Sequence, residues 1–281
     1  MHKIKIIADS TCDLSPELIK KYDIEIVYLY INLGDEISRD TIDVSPTDIF
    51  NCVQKTKVLP GTVAPSIADF KDAFEKYSKD EFDIICFTIS SLMSSTYQNA
   101  CIAAGEVGGV SVVDTCNLST GGGHIVLNAA LMARNGIDAS SIVSQMRAMA
   151  SKVRASFILD NLDYIRKGGR CSTIAALGAN LLKIKPTILV EDGKMRVGNK
   201  YRGAFQKVLE DYVDVQLANK NNIRTERIFI THTGCSKEIV DAVKARIAQQ
   251  IIFDEVIETI AGSSITSHCG PNTLGILFVE K

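Results

Sequence analysis

The sequence predicts an α/β protein built from an N-terminal wound parallel-sheet domain and a C-terminal α+β domain. Through the first half of the chain, short runs rich in Ile and Val alternate with segments of helical period, a rhythm typical of parallel sheets covered by helices. With 281 residues, 46% of them hydrophobic, the chain also has ample apolar material for such cores.

The first domain is expected to hold strands at residues 4–8, 24–31, 84–89, 110–113 and 155–159. The helices between them have well-marked starts. Ser45 and Ser66 each stand three residues before an acid, which is the capping-box pattern, and Pro46 occupies the first helical position after Ser45. The loops that precede these two helices therefore end at helix N-termini.

The rhythm changes after about residue 159. We expect, in order, a helix at 161–167, a glycine turn, an apolar helix within 171–182, a hairpin of 187–190 and 194–197, a helix at 204–219, a strand at 227–232, another helix and two final strands. The boundary is placed at residue 158, giving domains 1–158 and 159–281. No linker rich in Pro, Gly or Ser marks it, so the two domains are expected to pack closely.

Composition argues against several classes of protein. The chain has 31 basic and 33 acidic residues and a net charge of -2, so no charge excess favours nucleic-acid binding. No apolar run is long enough for a transmembrane span, and the N-terminal residues lack a secretory signal pattern, so a cytoplasmic location is expected. The eight cysteines lack CxxC spacing, and no metal site is predicted.

Familiar catalytic motifs are absent from the sequence. There is no GxSxG elbow, Walker loop, complete GxGxxG or HExxH pair, so no catalytic residue is assigned. The run Gly121-Gly122-Gly123 lacks dinucleotide-binding spacing and leads into an apolar helix. We interpret it as a site of close helix packing.

Hydroxyl side chains collect where a predicted strand opens into a helix. Ser91, Ser94 and Ser95 follow the strand at 84–89, and Ser66 begins a second helix. Unpaired backbone N–H groups and hydroxyls at such places can bind an oxyanion, either a carboxylate or a phosphate. For a single cluster of hydroxyls, ordinary helix capping is a better explanation than ligand binding. A second helix start with the same character reduces the advantage of the capping explanation without removing it.

Arg170 and His268 are two further candidates. Arg170 follows the turn Gly168-Gly169, where it can pair with a carboxylate or simply lie on the surface between helices. His268 precedes a glycine and a proline and is expected in an irregular loop. It can serve as a hydrogen-bond partner, a general base or an ordinary loop residue.

Six segments, taken together and in order, resemble the DegV family along nearly the whole chain. They are residues 9–14 (DSTCDL), 62–66 (TVAPS), 90–98 (SSLMSSTYQ), 167–170 (KGGR), 184–186 (IKP) and 268–275, which ends in TLG.

The resemblance implies a protein that binds a long-chain, palmitate-like fatty acid between its two domains and needs no cofactor. It implies that Thr62 and Ser94 hold the carboxyl group and that Arg170 and His268 complete the head-group network. Ser66, Ser91 and Ser95 are further ligand-binding candidates. The family also includes acyl-carrying partners of a fatty acid kinase, so the chain itself is expected not to be an enzyme, and Arg202 is expected to contribute to docking of the kinase.

Three positions depart from the family pattern. Leu92 and Ser95 stand where the family often has glycine, and Val63-Ala64 replaces the commoner Ser-Gln. These changes bear on selectivity for the acyl tail more than on the head group.

Two enzymatic alternatives remain open at the level of sequence. One is a serine acyl hydrolase that uses Ser94 with His268. The other is a small-molecule phosphotransferase similar to dihydroxyacetone kinases. The missing elbow and phosphate-binding loop count against both.

Overall fold

The computed structural model describes residues 3–34, 36–78, 82–177 and 184–281. The strands are β1 (Ile4–Asp9), β2 (Glu25–Val27), β3 (Tyr30–Asn32), β4 (Ile37–Arg39), β5 (Gly61–Val63), β6 (Asp83–Thr88), β7 (Val110–Asp114), β8 (Val153–Ile158), β9 (Lys185–Glu191), β10 (Lys194–Tyr201), β11 (Arg227–His232), β12 (Glu255–Ile260) and β13 (Leu274–Val279). The α-helices are α1 (Pro16–Tyr22), α2 (Pro46–Thr56), α3 (Ile67–Ser78), α4 (Thr96–Val107), α5 (Ser119–Arg134), α6 (Ala139–Ala150), α7 (Asp163–Gly168), α8 (Phe205–Gln216), α9 (Lys237–Gln250) and α10 (Ser263–Cys269).

A four-stranded parallel sheet, in the order β2-β1-β6-β7, confirms the predicted wound first domain. Side chains alternate across it, as the period of two requires. Ile7 and Ile84 pack with helices α3 and α4, whereas Ile6 and Ile85 point to the opposite face, where α5 and α6 lie. Both faces of this sheet are therefore buried by helices.

A six-stranded mixed sheet forms the second core, in the order β10-β9-β8-β13-β11-β12. The predicted hairpin is present, with β9 and β10 antiparallel around a turn at Asp192 and Gly193. Strand β8, expected in the first domain, pairs instead with β9 and β13 of this sheet. The boundary at residue 158 stays a prediction, and the pairing of β8 favours a division before Val153.

Helix α5 lies between the two sheets and is almost wholly buried along its first half. Its glycines allow this approach, because a Cβ atom on Gly123 would stand 2.6 Å from the carbonyl oxygen of Cys12. His124 in the same helix donates from Nε2 to the carbonyl of Leu277, 2.9 Å away. The interpretation of the glycine run as close helix packing is confirmed.

A third, small sheet was not anticipated. Residues 24–31 form two strands, not one, because the chain leaves the parallel sheet after Val27 and joins the antiparallel order β4-β3-β5. At the bend, the backbone N–H of Leu29 donates to the hydroxyl of buried Ser10, 3.1 Å away, instead of continuing the ladder.

Two further expectations differ from the structure. His268 lies in α10 and not in an irregular loop. Of the predicted apolar helix within 171–182, the structure shows a 3-10 helix at Ser172–Leu177, and the remainder lies outside the described residues. Within the described ranges, no helix has the length and apolar character needed to span a bilayer.

Candidate functional site

A cavity of about 260 Å³ opens between the loops of the parallel sheet and elements of the second half of the chain. Its apolar lining consists of Leu29, Val63, Ala64, Ile89, Met93, Leu118, Met195, Ile265 and Cys269, and its polar lining of Thr11, Thr62, Ser94, Ser95, Arg170, Ser264 and His268. A concave space with mostly apolar walls and a few polar groups is the usual form of a small-molecule site.

Thr62 and His268 meet in this cavity although 206 residues separate them. Thr62 lies in β5 of the small sheet, His268 lies in the last turn of α10, and Thr62 Oγ1 and His268 Nε2 are hydrogen-bonded at 2.9 Å. Burial lowers the pKa of His268 to about 4, with a smaller contribution from the positive charge of Arg170. The imidazole is therefore neutral at pH 7.

The turn at the end of α7 brings Arg170 to the same site. A Cβ atom on Gly168 would stand 2.5 Å from Nδ1 of His268, so only glycine lets the end of α7 pass this close to the imidazole. Arg170 lines the cavity and donates from Nη1 to the carbonyl of Gly168, 2.8 Å away. A cation thus lies beside a neutral hydroxyl–imidazole pair.

Ser94 and Ser95 line the cavity at the start of α4, which begins at Thr96, two residues later than Ser94. The Ser94 hydroxyl accepts from the backbone N–H of Thr96 at 3.3 Å and shares a 2.8 Å hydrogen bond with the Thr96 hydroxyl. The N–H groups of the first helical turn have no carbonyl partner within the helix. This end of the cavity therefore offers hydroxyl groups without a fixed negative charge.

Ser66 and Ser91 lie outside the cavity lining. Ser66 caps α3, because its hydroxyl and backbone N–H both donate to Asp69 and the N–H of Asp69 donates back to the Ser66 hydroxyl. Ser91 is exposed, and its N–H donates to Asp114. For Ser66 the geometry favours helix capping over contact with a ligand.

Thr11 and Met195 are among the lining residues that were not predicted as ligand contacts. Thr11 belongs to the polar cluster after β1, so its position at a strand end was a usable signal. Met195 lies in β10, whose pattern indicates only a strand, and its contact with the cavity depends on how the hairpin packs. The hairpin is held at the cavity edge, since the Ser90 hydroxyl donates to the Gly193 carbonyl at 2.7 Å.

Arg202 lies apart from these residues, exposed just beyond the end of β10. Within the described part of the chain, no group of three or more His, Cys, Asp or Glu side chains is arranged to hold a metal ion. What the site offers is a set of hydrogen-bond donors and one arginine beside an apolar space.

Comparison with known proteins places the chain in a family. A family model described as an uncharacterised protein of the DegV family matches residues 3–281. A fatty acid-binding protein of Thermotoga maritima is 31% identical over 283 residues, covering 97% of this chain and 96% of the relative.

Solved structures agree with that match. A fatty-acid-binding DegV family protein from Thermus thermophilus superposes with a TM-score of 0.93 at 27% identity, covering 99% of this chain and 100% of that one. A stearic acid-binding protein from Eubacterium ventriosum gives a TM-score of 0.84 at 25% identity, covering 100% of this chain and 99% of that one. Sequence and structure therefore lead to the same conclusion, that the chain belongs to the DegV family.

Proposed function

We propose that this protein binds a long-chain fatty acid, with the carboxyl group held by Thr62 and Ser94 and supported by Arg170 and His268, and that it presents this acid to a fatty acid kinase. The observation that carries the proposal is the cavity itself, where these four polar residues line the same apolar space. The solved relatives that bind fatty acids share its fold.

The head-group residues suit a carboxyl group in either protonation state. Hydroxyls can both donate and accept, so Thr62 and Ser94 can bond a carboxylate or a carboxylic acid. The neutral imidazole of His268 adds one further donor or acceptor, and the guanidinium of Arg170 favours the anion. The head group orients the ligand at the meeting point of the small sheet, α4 and α10.

The acyl tail supplies most of the binding free energy in this proposal. Burial contributes about 0.8 kcal/mol per methylene, so roughly fifteen methylenes contribute on the order of 10 kcal/mol before the costs of association. A smaller space of about 20 Å³ adjoins the main cavity and shares the lining residues Leu118, Ile265 and Cys269 with it. Phe157 and Leu277 of the six-stranded sheet line this inner space, which gives the tail an apolar direction to follow.

The geometry gives no support to a serine hydrolase. A hydrolytic serine needs the histidine as its hydrogen-bond partner and a third group to orient that histidine. Here His268 Nε2 bonds Thr62, the Ser94 hydroxyl bonds Thr96, and His268 Nδ1 is buried with no partner among the described residues. A phosphotransferase is also disfavoured, since Arg170 is the one cationic side chain in the described cavity lining.

Removal of either head-group hydroxyl is expected to weaken fatty acid binding about 10-fold, because a hydrogen bond to a charged group contributes about 1.5 kcal/mol or more. Purified protein, denatured and analysed by mass spectrometry, should release a long-chain fatty acid. Delipidated Thr62→Ala and Ser94→Ala variants should then bind palmitate more weakly in a fluorescence displacement titration. Ser45→Ala, which removes an exposed helix cap of the same chemistry, is the matched control.

Two results would count against this assignment. Recovery of no fatty acid, together with no palmitate binding by the delipidated protein, would reject the proposed function. Unchanged affinity in both alanine variants would reject only the head-group residues.

The kinase part of the proposal predicts turnover only in the presence of a partner. With a fatty acid kinase protein and ATP, the γ-phosphoryl group should move to the bound carboxylate oxygen, giving acyl phosphate and ADP. Arg202→Ala should raise the half-saturating concentration of this chain about 10-fold, because an exposed cation at the interface is lost. Arg196→Ala, another exposed arginine of the β10 segment, is the control.

Product formation by the isolated chain with ATP would show that it is an enzyme in its own right. An unchanged kinase rate with Arg202→Ala would remove Arg202 from the docking surface. Palmitate affinity, measured in parallel, separates loss of docking from loss of ligand.

A further inference from the structure

Three buried carboxyl groups lie next to the residues that line the cavity and are not part of the proposed head-group network. Asp9, Asp13 and Asp40 are 1%, 6% and 0% exposed. Their hydrogen-bond partners are backbone N–H groups and hydroxyls, and within the described residues none of the three pairs with a Lys, Arg or His side chain. Buried acids without a cation are uncommon, because burial strongly disfavours the charged form.

Each of these acids holds a part of the cavity wall. Asp9 accepts from the hydroxyl and N–H of Thr11 and from the N–H of Ile89, 2.6 Å away, and both of these residues line the cavity. Asp13 accepts from the hydroxyl of Ser119, the residue after the lining residue Leu118. The carboxyl groups thus connect walls that come from separate loops.

Asp13 and Asp40 also hold the beginning of α10. The N–H of Gly262 donates to Asp13 Oδ1 at 2.8 Å, and the N–H of Ser264 donates to Asp40 Oδ1 at 3.1 Å. Because Gly262 has no side chain, both carboxyl oxygens approach it, and a Cβ atom there would stand 3.2 Å from each. Two acids from the first half of the chain therefore satisfy the free amides at this helix start.

The small sheet and the residue that follows β4 contact both ends of α10. Asp40 directly follows β4 and bonds Ser264, while Thr62 in β5 bonds His268, four residues further along the helix. Four helical residues span about 6 Å along the axis. The position of the imidazole is consequently set by two contacts of α10. Its own hydrogen bond to Thr62 holds one end of the helix, and the acids hold the other.

We infer that Asp13 and Asp40 are positioning residues for the ligand site: by holding the start of α10 they fix where His268 and the cavity-lining face of this helix stand. This inference rests on the proposed function. It assigns to the acids a role in placing the site and no contact with the ligand, since neither residue lines the cavity.

The test compares removal of the carboxyl group with its replacement by an amide. Asp40→Ala and Asp13→Ala should each weaken palmitate binding by the delipidated protein at least 10-fold. They should also shift the ¹⁵N resonances of the His268 imidazole, which are assigned by their loss in His268→Asn. Asp40→Asn and Asp13→Asn keep an acceptor for the α10 amide, so they should bind within twofold of the wild type, with His268 resonances close to native.

Asp43→Ala is the matched control, because Asp43 is an exposed neighbour that pairs with Arg39 on the surface. The inference would be overturned if the alanine variants fold and have native palmitate affinity and native His268 resonances. It would also be overturned if the asparagine variants fail to restore the affinity and the resonances. If the alanine variants do not fold, Gly262→Ala tests the same point, since its Cβ would stand 2.9 Å from Thr41 Cγ2 and displace the helix start. Native palmitate affinity and native His268 resonances in Gly262→Ala would then overturn the inference.

The two readouts separate this inference from the proposed function. If the wild-type protein binds no palmitate, the proposed function fails, while the imidazole resonances still report whether the acids place His268. If the wild type binds palmitate and the resonances do not respond to loss of the acids, only the positioning role fails.

Discussion

Replacing Cys269 with phenylalanine is expected to weaken binding of palmitate roughly 200-fold. Cys269 is buried in the last turn of α10 and lines both the main cavity and the smaller space that adjoins it. A ring at this position would block the path proposed for the acyl tail. Loss of about four buried methylenes costs ~3 kcal/mol, which corresponds to this decrease in affinity.

The measurement is a palmitate titration of the delipidated variant beside Cys269→Ala. Alanine leaves the passage open, so that variant should bind within a few-fold of the wild type. The affinity for a shorter acid, such as octanoate, should differ much less between the phenylalanine variant and the wild type, because a shorter tail extends less far from the proposed head-group residues. Equal palmitate affinity in all three proteins would show that the tail does not pass Cys269.

Replacing Asp13 with asparagine is expected to remove a large pH dependence of stability. Burial raises the pKa of Asp13 to about 8, and the nearby carboxyl groups of Asp40 and Asp9 add to the shift. In the unfolded chain the same group titrates near 3.9. Between these values the folded state holds a proton that the unfolded state has lost, so the stability of the wild type falls as pH rises.

From pH 5 to pH 8 this single group should lower the free energy of unfolding by on the order of 4 kcal/mol, since each pH unit in the window costs about 1.4 kcal/mol. Asparagine cannot ionise, so Asp13→Asn should lack this decline. Urea unfolding at several pH values measures the difference between the two proteins. Asp9, Asp40, His124 and His268 also titrate, but they are present in both proteins, and their direct contributions cancel in the comparison.

The control is Asp43→Asn, because Arg39 lowers the pKa of exposed Asp43 to about 2 and the group stays ionised throughout the window. Its unfolding free energy should run parallel to that of the wild type between pH 5 and pH 8. Parallel profiles for Asp13→Asn and the wild type would contradict the raised pKa of Asp13.

Much of the fold follows from local patterns. The hairpin of β9 and β10 was predictable because Asp192-Gly193 suits a turn in which both residues have positive φ, and here φ is 50° and 75°. The start of α3 was predictable because Ser66 and Asp69 form a capping box within a few residues of each other. In both places the interactions that decide the structure lie inside the segment that forms it.

Other features depended on distant residues. The apolar run at 24–31 has the pattern of a single strand. In the structure the backbone N–H of Leu29 donates to the hydroxyl of Ser10, and the run forms two strands that belong to different sheets. His268 has glycine and proline after it, which favours a loop, yet Asp13 and Asp40 satisfy the start of a helix that includes it. None of these three partners is near the segment that it contacts in the sequence.

By itself the sequence determined the α/β class, the hydroxyls at helix starts and, through six ordered segments, the family resemblance. Only the tertiary structure decided that Thr62, Ser94, Arg170 and His268 share one cavity, that Ser66 and Ser91 stand outside it, and that three buried acids lie behind it. Periodicity, capping and turn chemistry act between residues close in the chain, so they can be recognised without coordinates. A cavity is defined by packing between residues as far apart as Thr62 and His268, and that packing depends on the whole core.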